Sequence, residues 1–151
     1  MTARMVTERD TIIAAIRRHA EASGIAPSLL LALVEQESNF YPWATRCEPA
    51  FHKRYIEPLA ANGGVPTSEL YQRSISWGLG QVMGQTARES GYTGPIGMLL
   101  DVDTNLLVTC NVFEARLRTV GGDPRLALLR YNGGGRPAYA DEVLHRMERW
   151  A

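Results

Sequence analysis

Glycine and proline punctuate this sequence so closely that the segments between them suit short and medium helices. Thr7 and Asp10 have the spacing of a capping box. A first helix is therefore expected from about Glu8 to Ser23, with Ile12, Ala15, Ile16 and His19 on one face and Gly24 as its stop. Pro27 suits a first helical position, so a second helix should run to about Ser38, and Pro42 closes it. Gln85 to Ser90 reads as a short helix ended by Gly91. Asp101 is a good cap for a helix from about Val102 to Val120, whose Leu106, Cys110, Phe113, Leu117 and Val120 form a stripe of helical spacing. Asp123-Pro124 starts another helix through Tyr131, Gly133 to Gly135 break it, and a last one takes Tyr139 to about Trp150.

Residues 42–76 hold Pro42, Pro49, Pro58 and Pro66 and have no long period; short helices are expected around 48–60 and 67–72. A stretch this long fits a cleft wall or a surface insertion. No run alternates as a strand would. The expectation is a mainly α, multi-helix fold with a cleft, as one domain over residues 1–151.

Charge excludes several functions. The 16 basic and 16 acidic side chains cancel, which gives no field to draw the chain onto nucleic acid. Arg17-Arg18-His19 and His52-Lys53-Arg54 read as solvated faces. Cys47 and Cys110 have no His or Cys at ligand spacing, so no metal or cofactor is expected, and two reduced thiols are favoured over a disulfide. The polar start, Met1 to Asp10, is no targeting segment, and the apolar stretch Ile25 to Val34 is too short to cross a bilayer. A chain made in the cytoplasm, without membrane insertion and monomeric, is expected.

The chemistry concentrates on the second helix. Leu30, Leu33, Val34 and Glu37 are spaced three, one and three, which at about 100° per residue puts Glu37 on the apolar face. Glu35 lies about 200° around and points elsewhere. Partial burial and the negative end of the helix dipole both disfavour ionisation of Glu37, and a carboxyl so placed is suited to donate a proton. On the spacing alone, a rim glutamate with no chemistry is the commoner case.

The motifs resolve this. Ala32 to Phe40 carries Glu37-Ser38, followed by Pro42 and Ala44, and resembles the Glu-Ser motif of soluble-type, goose-lysozyme-like lytic transglycosylases. Ser76 to Ala87 resembles that family's GLMQ-x-MP-x-TA block, Leu100 to Leu106 its L-x-DP-x-x-NI block, Leu126 to Gly134 its ALAAYNAG block, and Tyr139 to Leu144 its closing Y-x-x-x-VL. The blocks come in the family's order over roughly residues 8 to 146. Gly80 stands for the methionine of GLMQ, Gly84 for a proline and Val102 for the proline of DP. The stretch from Glu48 to Tyr55 is similar to phage-borne members, which suggests an endolysin or virion lysin.

The resemblance implies a lysozyme-like fold acting on peptidoglycan in the cell wall, after export or release. It implies Glu37 as general acid and base at the bond between N-acetylmuramic acid and N-acetylglucosamine. It implies that Tyr131 hydrogen-bonds or orients Glu37, that Gln81, Ser76 and Asn132 hold the sugar, and that Met83 lines the cleft. Glu48 lies in the suspected cleft wall; if it held a water, the enzyme would hydrolyse as a goose-type lysozyme does. A non-catalytic glycan-binding module is the third reading.

Overall fold

The computed structural model describes residues 7–151; residues 1–6, the first part of the polar start, lie outside the described residues. Helix α1 (Glu8–Ser23) begins at a full capping box, in which Thr7 Oγ1 accepts from Asp10 N at 3.1 Å and Asp10 Oδ2 accepts from Thr7 N at 3.1 Å. Its Ile12, Ala15, Ile16 and Ala20 are buried, and Gly24 ends it at φ 68°. His19 sits at the rim, where its Nε2 lies 2.8 Å from Asp103 Oδ1.

Helix α2 (Pro27–Ser38) buries Leu29 through Val34 without interruption. An amphipathic surface helix would bury one stripe, so α2 is enclosed on all sides. It packs against α1 and against α9 (Ala138–Trp150). Helices α7 (Val102–Thr119) and α8 (Pro124–Tyr131) complete this layer, with Leu106, Cys110, Phe113 and Leu128 fully buried. Each such leucine contributes about 1.5–3 kcal/mol from burial, so this cluster dominates the stability of the fold.

A second, smaller lobe flanks this layer, and its strands depart from the sequence expectation. Three short strands, β1 (Thr45–Cys47), β2 (Ile75–Trp77) and β3 (Val82–Met83), form an antiparallel sheet in the order β1-β2-β3. Strands of two or three residues hold too few positions to show alternation, so the pattern could not announce them. Between β1 and β2 the chain runs through α3 (Pro49–Phe51), a π-helical turn (His52–Ile56), α4 (Glu57–Ala60) and α5 (Thr67–Arg73), close to the two short helices expected there. Helix α6 (Gly84–Glu89) and a 3-10 turn (Ile96–Leu100) follow the sheet. Trp77, Val82, Ile96, Leu99, Val108 and Val112 form this lobe's own core, against a second face of α7.

Candidate active site

The last turn of α2 sorts two glutamates onto opposite sides. Glu35 turns outward to α9, where it accepts from Trp150 Nε1 at 3.0 Å and from Arg149 Nη2 at 3.1 Å, with Arg146 Nη1 at 3.5 Å. Burial pushes its carboxyl up, but Trp150, Arg149 and Arg146 outweigh burial and hold it below the usual range. Glu37 turns inward and is half-buried at the wall of a cavity of about 490 Å³. Its Oε1 accepts a hydrogen bond from the Tyr139 hydroxyl. Burial pushes Glu37 above the usual carboxylate range, while the Tyr139 hydrogen bond and the positive charge of Arg46 oppose the rise. Burial and the charge of Glu37 also push Tyr139 far up, so its hydroxyl keeps its proton and stays a donor.

Sheet register builds the opposite wall. Arg46 pairs with Ser76 across β1 and β2, and Ser76 pairs with Met83 across β2 and β3. Residues opposite each other in a ladder share a face, so these three side chains form one row, and all three line the cavity. Glu48, one residue beyond β1, also lines it and is engaged by Arg46, whose Nε lies 3.2 Å from Glu48 Oε1.

The floor is the loop between β2 and β3. Gly78 sits at φ 63°, and a Cβ there would lie 2.5 Å from Leu99 O, so only glycine fits. Gly80 abuts Thr109: a side chain at 80 would overlap the buried Thr109 hydroxyl, which accounts for the missing methionine of the motif. Gly84 is likewise pressed on the backbone of Gln72, which leaves no room for proline. Buried Asn105 ties the loop down from α7. Its Nδ2 donates to Trp77 O and Leu99 O, each at 2.8 Å, and its Oδ1 accepts from Gly80 N at 2.9 Å and Thr109 Oγ1 at 3.1 Å. Ser38 fastens α2 to the same loop, donating to Leu79 O at 2.8 Å.

Glu37, Glu48, Ser76, Gln81, Met83, Tyr131 and Asn132 all line one cavity. Their individual contacts refine the expectation. Gln81, at φ 49°, spends its Nε2 on Ala44 O at 3.0 Å and Gly78 O at 2.9 Å, so its amide shapes the loop and leaves Oε1 as the group for a ligand. Tyr131 does not hydrogen-bond Glu37. It stands at the end of α8 above the floor loop and donates to Gly80 O at 2.6 Å. The hydrogen bond to Glu37 comes from Tyr139 at the start of α9, the first residue of the closing motif, for which the sequence implies no catalytic part. Arg46, Phe51 and Gly133 also line the cavity and were missed. For Arg46 no sequence signal existed, because only the strand register brings it there.

Among the described residues, no group of three His, Cys, Asp or Glu side chains is placed to hold a metal ion, and no helix is long and apolar enough to cross a membrane. Both cysteines are free, Cys47 exposed and Cys110 buried.

A family model of the transglycosylase SLT domain matches residues 14–142. No curated protein and no solved structure matches the chain.

Proposed function

The chain belongs to the transglycosylase SLT domain family, and from that premise we propose that it cleaves the β-1,4 bond between N-acetylmuramic acid and N-acetylglucosamine with Glu37 as its single acid and base. The family carries a mainly α, lysozyme-like fold and, in general, peptidoglycan lytic transglycosylase activity. The finer reading rests on one observation above the others: Glu37 is pushed toward its protonated form in the cavity and is fixed there by Tyr139.

In this mechanism the Glu37 proton passes to the glycosidic oxygen, and the C1–O bond breaks. N-acetylglucosamine leaves with a C4 hydroxyl, and the substrate's N-acetyl oxygen stabilises the positive charge growing at C1. Glu37, now a carboxylate, takes the proton of the muramic C6 hydroxyl as that oxygen attacks C1. The product is a 1,6-anhydro sugar, the carboxyl is restored, and no water is consumed. Ser76, Asn132 and the Oε1 of Gln81 hold the sugar, Met83 lines its path, and Tyr131 braces the floor.

A hydrolytic second reading is favoured by one fact: Glu48 lines the same cavity. Against it, the Glu48 carboxylate is already engaged by Arg46 and is poorly free to hold an attacking water. Mass spectrometry of digested cell walls decides. Anhydro-muropeptides are expected; reducing ends alone would sink the transglycosylase reading, and no cleavage at all would favour the glycan-binding one. We propose further that the protein acts as a monomeric lysin of bacterial cell walls, in keeping with the phage-like stretch Glu48 to Tyr55.

A further inference from the structure

Beside the cleft lies a second cavity, of about 460 Å³, between the end of α7 and α8. Arg116 and Arg130 supply its charge, and Val120, Leu126 and Leu129 its apolar wall. Gly133 lines both this cavity and the cleft, so the two adjoin across a rim of glycines that raises no side chain between them. The Nε of Arg116 is buried and has no hydrogen-bond partner among the described residues. Neither Arg116 nor Arg130 forms an ion pair among the described residues, although most of the ion-paired arginines in the chain sit against a carboxylate within 3.3 Å. Asp123 caps α8 through Leu126 N at 3.2 Å, and Glu89 lines a separate pocket that Arg116 also borders.

A guanidinium at a cavity wall with no carboxylate beside it is best matched by a planar carboxylate, which its fork of donors meets two at a time. Leu126 is 46% exposed beside it, an apolar surface that suits a short aliphatic chain. We propose that this cavity receives the acidic peptide stem borne by the muramic acid of the substrate, with the stem crossing the Gly133 rim and its carboxylates meeting Arg116 and Arg130. This rests on the cell-wall reading above and extends it from the glycan to the peptide.

Two measurements separate the two claims. The first is titration of the full-length Glu37→Gln protein with a synthetic alanyl-γ-glutamyl stem peptide, followed by nuclear magnetic resonance. Binding is expected, weakened about tenfold by Arg130→Glu, as the loss of about 1.4 kcal/mol implies. Arg116→Gln should weaken it similarly; Arg130 is exposed, so its variant stays informative if Arg116→Gln folds poorly. The second is cleavage of stem-bearing glycan strands against strands stripped of peptide by an amidase. The ratio of kcat/KM values should fall toward one in Arg130→Glu. No peptide binding, or binding and ratio unchanged in both variants, overturns the stem site. Failure of the parent to cleave either strand while it still binds peptide overturns the glycan mechanism instead.

Discussion

The two faces of the last turn of α2 carry the same residue type two positions apart and treat it oppositely. On the outer face Glu35 meets a cluster of donors, Trp150, Arg149 and Arg146, that stabilises its charge. On the inner face Glu37 meets one neutral donor, Tyr139, in a partly buried wall that resists its charge. The outer carboxylate is useful to the fold as a fixed anion; the inner one is useful only if it gives its proton away. Backbone position settles which is which, because a step of two residues crosses the helix.

The strongest way to break this contrast is Glu37→Gln. Wall-clearing activity should fall by about a hundredfold to ten thousandfold, the range ascribed to a general acid. Stability should not fall with it. A carboxyl whose folded pKa is raised binds more protons folded than unfolded, so its contribution is lost as pH rises from the ordinary carboxylate range through the folded value. The variant should therefore melt no lower than the parent at neutral pH, by calorimetry, and the difference should close toward about pH 4. A large drop in Tm would make Glu37 a structural residue.

Tyr139→Phe comes next. It removes the hydrogen bond that Glu37 accepts from the Tyr139 hydroxyl and should cost about tenfold in kcat/KM, the worth of one hydrogen bond to a charged group. Because that bond favours the ionised form, its loss should move the alkaline limb of the pH–rate profile to higher pH. A limb that stays in place would separate Tyr139 from the acid.

The outer face should answer in the opposite currency. Glu35→Gln is expected to leave kcat/KM alone and to lower stability by about 1 kcal/mol, since Arg149 is exposed and screened. For a chain of this size that is about 2–4 °C in Tm. The smallest effect is assigned to Arg46→Gln: the alkaline limb moves up, as for Tyr139→Phe, because a positive charge that favours ionised Glu37 has gone. A limb that moved down would reverse the assigned sign.

The helices were legible because each rests on local signals. Thr7 with Asp10, Pro27, Asp101 and Asp123-Pro124 mark starts, and Gly24 marks a stop, without help from distant residues. The sheet was not, because its strands are too short to alternate and β1 exists only through pairing with a segment some thirty residues away. The site divides along the same line. Glu37 could be placed by angle on its own helix, and the motif order supplied Ser76, Gln81, Met83 and Tyr131. Arg46 owes its position to register, and Tyr139 to the packing of α9 on α2, neither of which a linear pattern encodes. Tyr131 was expected on Glu37, but the end of α8 holds it over Gly80.

Asn105 has a consequence for time as well as shape. All four capacities of its amide are used on Trp77, Leu99, Gly80 and Thr109, and it is closed off from solvent. Trp77, Leu99 and Gly80 belong to the small lobe and the floor, whereas Asn105 and Thr109 ride on the helix that both cores share. Loosening the floor therefore strands several polar groups in an apolar interior at once, and they must be released together or not at all. The cleft floor is thus expected to open only in rare, collective events of the kind that slow hydrogen exchange records, and substrate meets a surface already set before it arrives.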